Sequence, residues 1–386
     1  MSWEEITVNE VCEEIIDCVN KTAKKTDAIT PYKMIRTTNV RNGEIDLKNV
    51  FYVEKEIYEK WIRRGKPRKN DVILTREAPV GEVGMLRVDD TVFLGQRTMM
   101  YRANRSIITP HFLYYSLRSS FVQDQLHSLS SGSTVSHVRV PDAKSFIVKV
   151  PKLPTQKRIA DILSAYDDLI ENNLKRIKLL EQTAQNIYKE WFVHLRFPGH
   201  EQATFDKETG LPEGWEEKTF GEFTEIKKGK NITKKTIIRG NVPVVAGGLK
   251  PAYYHNTPNT VNPVITVSAS GANAGYVNIY LEDIWASDCS YIDSKLSESL
   301  FFIHNLLSNQ QDLIFGMQRG AAQPHVYPKD LKRAEFVIPD KSVIQKFEEL
   351  VSPQYDLKRI LLKQNQKLKE ARDILLPRLM NRTIEV

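Results

Sequence analysis

The fold is decided by a stretch that the chain contains twice. The first copy reads Trp3-Glu4-Glu5-Ile6-Thr7-Val8-Asn9-Glu10-Val11-Cys12, and the second reads Trp215-Glu216-Glu217-Lys218-Thr219-Phe220-Gly221-Glu222-Phe223-Thr224. The tryptophan, the two glutamates after it, the threonine and the last glutamate hold the same places in both copies. A repeat this long is not a solenoid repeat. It indicates a duplicated domain, which can fold with an internal pseudo-two-fold axis.

Two further anchors repeat in the same order. Asn70-Asp71-Val72-Ile73 corresponds to Asn262-Pro263-Val264-Ile265, and the segment 132–138 corresponds to 320–326. The first copy is about 20 residues longer than the second, and the extra residues precede the first of these anchors. Two copies that share a frame and differ inside it are expected to recognise different targets.

The bulk composition excludes several classes of protein. With 386 residues, the length favours two or three domains that each bury a core. An apolar content of 41% with 27% charged residues is typical of a soluble globular protein, and no run of 18 apolar residues predicts a membrane span. The N-terminus lacks the pattern of a signal peptide. Three cysteines, Cys12, Cys18 and Cys289, form neither a disulfide framework nor a metal-binding pair, so a cytoplasmic location is expected.

The charge pattern favours a polyanionic partner. The net charge is +7, and each copy carries a basic cluster in its early part. The alternative reading of either cluster alone is solvated surface. Because both copies carry one, contact with phosphate groups is favoured. The clusters are Arg63-Arg64, Lys66 and Arg68-Lys69 in the first copy, and Lys227-Lys228, Lys230, Lys234-Lys235 and Arg239 in the second.

Each copy mixes strands with helices, which predicts an α+β fold built of two mixed α/β domains. In the first copy, strands are predicted over 71–74, 91–94 and 145–150, with a helix over 110–128 that Thr109 caps. In the second, strands are predicted over 264–267 and 335–338, with a helix over 298–311. The predicted boundaries are 1–152 for the first domain, 153–196 for a central helical spacer, 197–212 for a linker rich in Pro and Gly, 213–341 for the second domain, and 342–386 for a C-terminal helical spacer.

Both helical spacers carry an apolar stripe with heptad spacing. The first is predicted to begin at an N-cap, Thr155, and its stripe runs from Ile159 to Trp191. The second has its stripe from Phe347 to Leu375; Ser352-Pro353 is predicted to kink it, with Ser352 capping a fresh helix, and Pro377 is predicted to end it. Each stripe needs a partner, so the two long helices are expected to pair antiparallel as a coiled coil.

The predicted seam of this coiled coil includes two polar residues, Asn173 and Gln364. They are either tolerated polar positions or residues that set the register of the pair. The uninterrupted part of the second helix, 353–376, would be ~36 Å long at ~1.5 Å per residue, which is about one turn of B-DNA. The sequence therefore predicts a helical ruler that places two domains about one turn apart on a duplex.

The helical regions resemble those of type I restriction–modification specificity subunits. The resemblance rests on Leu153–Ser164, on Asp167-Asp168-Leu169-Ile170-Glu171-Asn172-Asn173, and on Tyr188-x-Glu190-Trp191-Phe192. Phe197-Pro198-Gly199-His200, leading to Trp215, looks like the entry to that family's second target-recognition domain. The stretch from Ala371 to Met380 looks like its closing helix.

The resemblance implies a non-catalytic DNA sequence-specificity subunit, in which each globular domain reads one half of a bipartite DNA site. The two helices would set the spacing and dock two methyltransferase (modification) subunits, which carry S-adenosylmethionine and methylate adenine at N6. Restriction/translocase subunits, which use ATP and Mg, would join them to cut unmodified double-stranded DNA. No cofactor is expected on this chain.

Two alternatives of other classes are weighed against this reading. A stand-alone DNA methyltransferase or nuclease would need a cofactor loop or metal motif; Asn262-Pro263-Val264-Ile265 lacks the second proline and the aromatic residue of a methyltransferase site, and no Walker A motif exists. Glu225-Ile226-Lys227 has the Glu-x-Lys spacing of many nucleases, but such tripeptides arise by chance in charged chains. A coiled-coil scaffold without a nucleic-acid role is disfavoured by the paired basic clusters.

The matched loops 131–137 and 319–325 are the first candidates for DNA contact, with a structural turn as the rival reading. The segments after the matched early strands, 75–81 and 267–273, are the second candidates. Small residues let backbone approach phosphate, and Ser, Thr, Gln and Arg can bond base edges. No catalytic or metal-binding residue is predicted, since His137 and His325 have no matched nucleophile or carboxylate pair. The predicted DNA-binding residues are Arg36, Thr38, Asn39, Arg76, Gln96, Arg97, Ser133, Thr134, Ser136 and His137 in the first copy, and Lys227, Lys228, Lys230, Ser268, Ser270, Asn273, Arg319, Gln323 and His325 in the second.

Overall fold

The protein divides into two compact units, each containing one copy of the repeat. A computed structural model describes residues 3–130, 136–320 and 323–386. Unit 1 comprises Met1–Ile170 and Gln366–Val386, and unit 2 comprises Glu171–Asn365. Each long helix is thus shared between the units. None of the helices in the described ranges combines the length and the apolar character that a bilayer span requires.

The repeated opening motif forms the same structure in both units. It begins as a strand, Glu4–Thr7 in unit 1 and Glu216–Thr219 in unit 2, and turns into a short helix, Val8–Val11 or Phe220–Phe223. The turn is a capping box: the Thr7 hydroxyl donates to Glu10 over 2.5 Å, and the Thr219 hydroxyl donates to Glu222 over 2.6 Å. The conserved spacing of threonine and glutamate between the two copies therefore has a local physical cause.

In unit 1, a four-stranded antiparallel sheet is covered on both faces. Alternate side chains of its strands face opposite sides: Val72 and Leu74 pack towards the helices Pro110–Arg118 and Ser120–Leu129, while Ile73 packs towards a second sheet. The order of the first sheet is Cys12–Asp17, Thr98–Ala103, Val72–Arg76 and Val80–Met85. The second has the order Phe51–Tyr52, Lys33–Ile35 and Val92–Leu94, with its last two strands parallel.

Unit 2 repeats this topology strand for strand, which confirms the duplication and the α+β class. Its strands Glu216–Thr219 and Glu335–Ile338 pair as Glu4–Thr7 and Ile147–Val150 do in unit 1. Its four-stranded sheet has the order Lys227–Lys228, Cys289–Asp293, Val264–Ser268 and Val277–Tyr280, and its three-stranded sheet has the order Tyr253–His255, Val242–Val245 and Trp285–Ala286. The helices are Leu300–Asn309, Gln311–Gly316 and Pro328–Arg333.

The extra residues of the first copy build structure that unit 2 lacks among its described residues. They form the hairpin Val40–Arg41 and Glu44–Ile45 and the helix Lys55–Trp61, which the turn Ile62–Arg64 follows. The prediction of a single helix over 110–128 is wrong. Ser119 interrupts it with an extended backbone, and its hydroxyl donates to the Ser116 carbonyl over 2.6 Å, a local hydrogen bond that competes with the helix.

The central helix, Leu153–Tyr188, begins earlier than predicted and continues as a π-helical turn, Lys189–Val193. Thr155 is therefore inside the helix and is not its N-cap. The first turn is instead fixed by the fully buried Gln156, whose amide donates to the carbonyls of Ile107 and Pro151 over 2.8 Å.

The C-terminal helix, Lys341–Met380, is continuous, so the predicted kink at Ser352-Pro353 and the predicted end at Pro377 are both wrong. Each proline removes one backbone hydrogen bond. Burial offsets this cost, because Val351 and Tyr355 on either side of Pro353 are buried, as are Leu379 and Met380 beyond Pro377.

Within each unit the two helix segments pair antiparallel, as predicted. In unit 2, Asn173 Nδ2 lies 2.9 Å from Asn365 Oδ1, and Lys358 Nζ lies 2.7 Å from Glu181 Oε1. Phe347 and Leu361 of the predicted stripe of the C-terminal helix are buried. At other positions the seam lies one residue further along: Val351 and Asn365 are buried, whereas Leu350 and Gln364 are exposed. The buried polar layer is therefore Asn173 with Asn365, which supports a register-setting role.

Two half-buried titratable groups of unit 2 should give opposite pH dependence. Burial lowers the pKa of His304 to about 3 and raises the pKa of Glu348 to about 7. The neutral histidine contributes stability that is lost as pH falls below about 6.5, where the unfolded histidine takes up a proton. The protonated glutamic acid contributes stability present below pH 4.5, the ordinary value, and lost as pH rises towards about 7.

We therefore expect His304→Gln and Glu348→Gln to change the free energy of unfolding with opposite slopes between pH 4.5 and 6.5. Relative to the wild type, the His304→Gln protein should gain stability as the pH falls, and the Glu348→Gln protein should lose stability. Each difference should change by at most about 1.4 kcal/mol per pH unit. Urea denaturation at several pH values measures both slopes. Slopes of the same sign would contradict the assignment.

Candidate nucleic-acid interface

In unit 1, two segments predicted to contact DNA meet at one short β-bridge. The bridge joins Glu77, directly after the strand Val72–Arg76, to His137. Beside it, the Val138 N–H donates to the Arg76 carbonyl over 2.9 Å. Ser136 is exposed and His137 is half-buried. The end of the loop is thus held against the turn that follows the strand.

Arg97 and Arg76 both reach this bridge, but only Arg97 is available to a ligand. Its Nε lies 2.8 Å from Glu77, and its side chain is 54% exposed. The Arg76 side chain is 14% exposed; its Nη2 lies 2.7 Å from Asp17, and its Nη1 donates to the Val138 carbonyl. Arg76 therefore holds the loop inside unit 1, and its contact with DNA stays a prediction.

Unit 2 builds the same junction from different residues. A β-bridge joins Ser270, two residues after the strand Val264–Ser268, to His325. Arg319 and His325 exchange two backbone hydrogen bonds of 2.9 Å, and the Gly271 N–H donates to the Pro324 carbonyl over 3.0 Å. The matched loops and the turns after the matched strands therefore meet in both copies.

The side chains at the unit 2 junction form a polar surface. The Ser270 hydroxyl donates to the Asp288 carboxylate. Arg319 Nη2 lies 2.7 Å from Asp330 Oδ1, yet the Arg319 side chain is 62% exposed. Gln323, in the same loop, is exposed. Guanidinium and amide groups placed in this way can bond base edges or phosphates.

The other two predicted residues at this junction are half-buried. Asn273 Nδ2 lies 3.4 Å from the Gly247 carbonyl, and the His325 ring stacks on Tyr327 with centroids 5.9 Å apart. Both side chains border the polar surface, and each already has a partner inside the unit.

Two predicted contacts are buried and hold loops instead. The Asn39 side chain donates to the carbonyls of Asp46 and Asn49 and accepts from the Arg36 N–H. The Ser268 hydroxyl donates to the Gly247 carbonyl over 3.1 Å. Both residues are buried and hydrogen-bonded inside their units, and their contact with DNA stays a prediction. Residues of these types satisfy buried loops as readily as base edges.

The remaining predicted residues are distributed over the surfaces of their units. Thr38 is exposed, and Gln96 accepts a hydrogen bond from the Thr22 hydroxyl over 3.2 Å. The guanidinium of Arg36 lies 3.6 Å from the centroid of the Phe51 ring. Ser133 and Thr134 lie outside the described residues. Three exposed lysines lie on or just after an edge strand of unit 2: Lys227, Lys228 and Lys230.

Sequence reasoning missed two features of these surfaces. Glu77, which fixes Arg97, was indistinguishable from any other surface glutamate. Tyr253 and Tyr254 are exposed on the edge strand Tyr253–His255. The sequence could have indicated these two tyrosines, because they are adjacent aromatic residues in a stretch without carboxylates.

Comparison with known protein families identifies the family to which the chain belongs. The sequence pattern of the Type I restriction modification DNA specificity domain matches residues 1–182 and 212–370, one segment for each copy of the repeat. The chain belongs to this family. It is a specificity subunit, a recognition subunit rather than a catalytic one, and the resemblance of its helical segments is confirmed.

Relatives match the specificity subunit over most of its length. It is 27% identical over 366 residues to the type I restriction enzyme MjaIX specificity subunit of Methanocaldococcus jannaschii, covering 87% of this chain and 84% of that protein. It is 24% identical to a putative MjaX specificity subunit of the same organism, covering all of this chain and 94% of the relative. The crystal structure of a type I restriction–modification S subunit from M. genitalium shares its fold, with a TM-score of 0.57 at 18% identity over 98% of this chain and 96% of that one.

Proposed function

We propose that this specificity subunit reads a split DNA sequence, with one half read by each unit. The observation that carries the proposal is the junction present in both units, where His137 meets Glu77 and His325 meets Ser270. The backbone frame is the same and the side chains differ. Such a pair can present two readers of the same construction to two unlike half-sites.

The chemistry of the junctions suits base recognition. The unit 2 loop offers the guanidinium of Arg319 and the amide of Gln323, which pair bidentately with guanine and adenine respectively. The unit 1 loop offers Ser136 and His137, with Arg97 beside them. The different polar groups would give the two units different base preferences.

We further propose that the helices dock two methyltransferase subunits, to which restriction/translocase subunits can be added, in the cytoplasm. The relatives bear names of restriction-enzyme specificity subunits, which supports a multi-subunit assembly. Large apolar side chains stand exposed on the helices, including Leu169 and Ile374 in unit 1 and Leu179 and Ile360 in unit 2. Exposed apolar groups of this kind mark protein contacts. S-adenosylmethionine, ATP and Mg would reside on the partner subunits.

Replacing Gln323 tests the proposal in the assembled complex. The chain with its modification subunits should methylate adenines in one split sequence, and Gln323→Ala should relax or weaken recognition of one half-site only, by about 1–3 kcal/mol. Mapping methylated adenines across a genome measures both. Gln202→Ala, which changes an exposed glutamine of the linker, should leave the map unchanged.

Three outcomes would contradict this assignment. Equal loss on all DNA sequences would reduce Gln323 to a phosphate contact. Methyl transfer or cleavage by the purified chain alone would favour the enzyme alternative, and a complex without salt-dependent DNA affinity would favour the scaffold alternative.

A further inference from the structure

The excess of positive over negative charge in the chain is found in one segment of unit 2. Residues 226–281 contain seven lysine and arginine residues and no aspartate or glutamate, so this segment accounts for the entire net charge of +7. In the rest of the chain the cations and anions balance. A duplex carries one negative charge per ~1.7 Å, so a polyanion of this kind is the partner that a segment with this excess of cations attracts most strongly.

The same segment exposes two aromatic rings beside its cations. Tyr253 and Tyr254, on the edge strand Tyr253–His255, are 36% and 55% exposed. Lys234 Nζ lies 5.9 Å from the centroid of the Tyr253 ring. Arg239 and Asn241 line an open cleft together with both tyrosines.

On the corresponding strand of unit 1, cations of the same unit lie over the aromatic ring. Phe51, on the edge strand Phe51–Tyr52, has the Arg36 guanidinium 3.6 Å and the Lys25 ammonium 4.9 Å from its ring centroid. The Phe51 ring, 37% exposed, thus has two cations of its own unit close to its face. Lys234 lies farther from the Tyr253 ring, and the Tyr254 ring, 55% exposed, is the more open to a partner. The cations of residues 226–281 share this segment with no carboxylate.

We propose that the edge strand Tyr253–His255, with Lys234, Arg239 and Lys250, is a second DNA-contact surface of unit 2, separate from the loop that carries Gln323. It holds the DNA backbone irrespective of sequence: the cations bind phosphates, and the tyrosine rings lie against sugars or an exposed base. This inference rests on the proposed function and adds that different surfaces supply affinity and base preference. Unit 2 supplies most of the salt-dependent attraction, and the junction loops supply the base preference.

The salt dependence of DNA binding tests this proposal. It is measured on the full chain assembled with its modification subunits. The triple variant Lys234→Gln, Arg239→Gln, Lys250→Gln should make the plot of log affinity against log salt concentration shallower by about 2.7, since each phosphate contact contributes about 0.9. Tyr254→Ala should weaken binding to cognate and unrelated duplexes alike by about fivefold or more. Tyr254→Phe should restore most of that loss.

A matched control is Lys207→Gln, which removes one exposed positive charge in the linker; it should leave the slope unchanged, whereas Lys250→Gln alone lowers it by about 0.9. The set of methylated sequences should be the same for all of these variants.

The outcomes separate this inference from the proposed function. If the wild-type complex methylates its site and the triple variant keeps the wild-type slope, the second surface is refuted and the proposed function stands. If the variants lose binding to polyglutamate and keep their DNA slope, the surface docks an acidic protein and the inference is again overturned. If the wild-type complex binds no DNA, both fail together.

Discussion

Replacing Asp167 with alanine is expected to lower the free energy of unfolding by about 3–5 kcal/mol. The carboxylate is buried in unit 1, where it accepts from Arg372 Nη1 over 2.6 Å and from the Tyr115 hydroxyl over 2.7 Å. Arg87 Nη2 lies 3.4 Å away. Without Asp167, the buried guanidinium of Arg372 would lose its buried carboxylate partner and keep Asp373, which lies 2.9 Å away and is 59% exposed.

The neighbouring residue supplies the control. Asp168 is 65% exposed and lies 3.2 Å from Arg87, so Asp168→Ala should cost less than about 1 kcal/mol. The double replacement Asp167→Leu, Arg372→Met removes both charges and should recover much of the loss. Urea denaturation measures all three; equal effects of Asp167→Ala and Asp168→Ala would show that the buried cluster does not stabilise unit 1.

Local patterns in the sequence predicted much of the fold because their causes are local. The repeated opening motif is a capping box in both units, and the strands predicted over 264–267 and 335–338 correspond to Val264–Ser268 and Glu335–Ile338. Such local patterns do not predict the order of the strands in a sheet. The parallel pairing of Lys33–Ile35 with Val92–Leu94 joins segments far apart in the chain, and no local signal encodes it.

The errors along the C-terminal helix have one origin, which is tertiary burial. Two apolar stripes one residue apart were compatible with its sequence. Packing selected the one that contains Val351 and Tyr355, and this left Leu350 47% exposed. The same burial keeps the helix intact through Pro353. The apolar pattern alone did not identify the buried face, because that face also includes Lys358, Asn365 and Arg372.

The sequence indicated where the candidate site lies better than it indicated which side chains are exposed there. The matched loops and turns do meet in both units, as the repeat implied. Arg76, Asn39 and Ser268 carry the same donors and acceptors as residues that read bases, but they are turned inward. Only the contacts of each side chain distinguish a reader from a residue that holds the reader in place.

Lengthening both long helices by one heptad is expected to change the DNA target itself. A second copy of Asn173–Leu179 in the central helix and of Arg359–Asn365 in the C-terminal helix would add ~10 Å at ~1.5 Å per residue. Because base pairs are stacked ~3.4 Å apart, the gap between half-sites should grow by about three base pairs. Both halves of the recognised sequence should stay the same, since neither junction is altered.

The insertion must be made in both helices because their pairing fixes the register. An insertion after Gln182 in the central helix alone would separate Tyr188 from Phe347, whose rings are 6.2 Å apart in unit 2. The paired insertion duplicates the layer of Asn173 and Asn365 and keeps the contacts on both sides of it. Mapping methylated adenines reads out the gap, with the single-helix insertion as a control that should abolish methylation. An unchanged gap in the paired variant would mean that the helices only join the two readers and that another part of the complex sets their spacing on DNA.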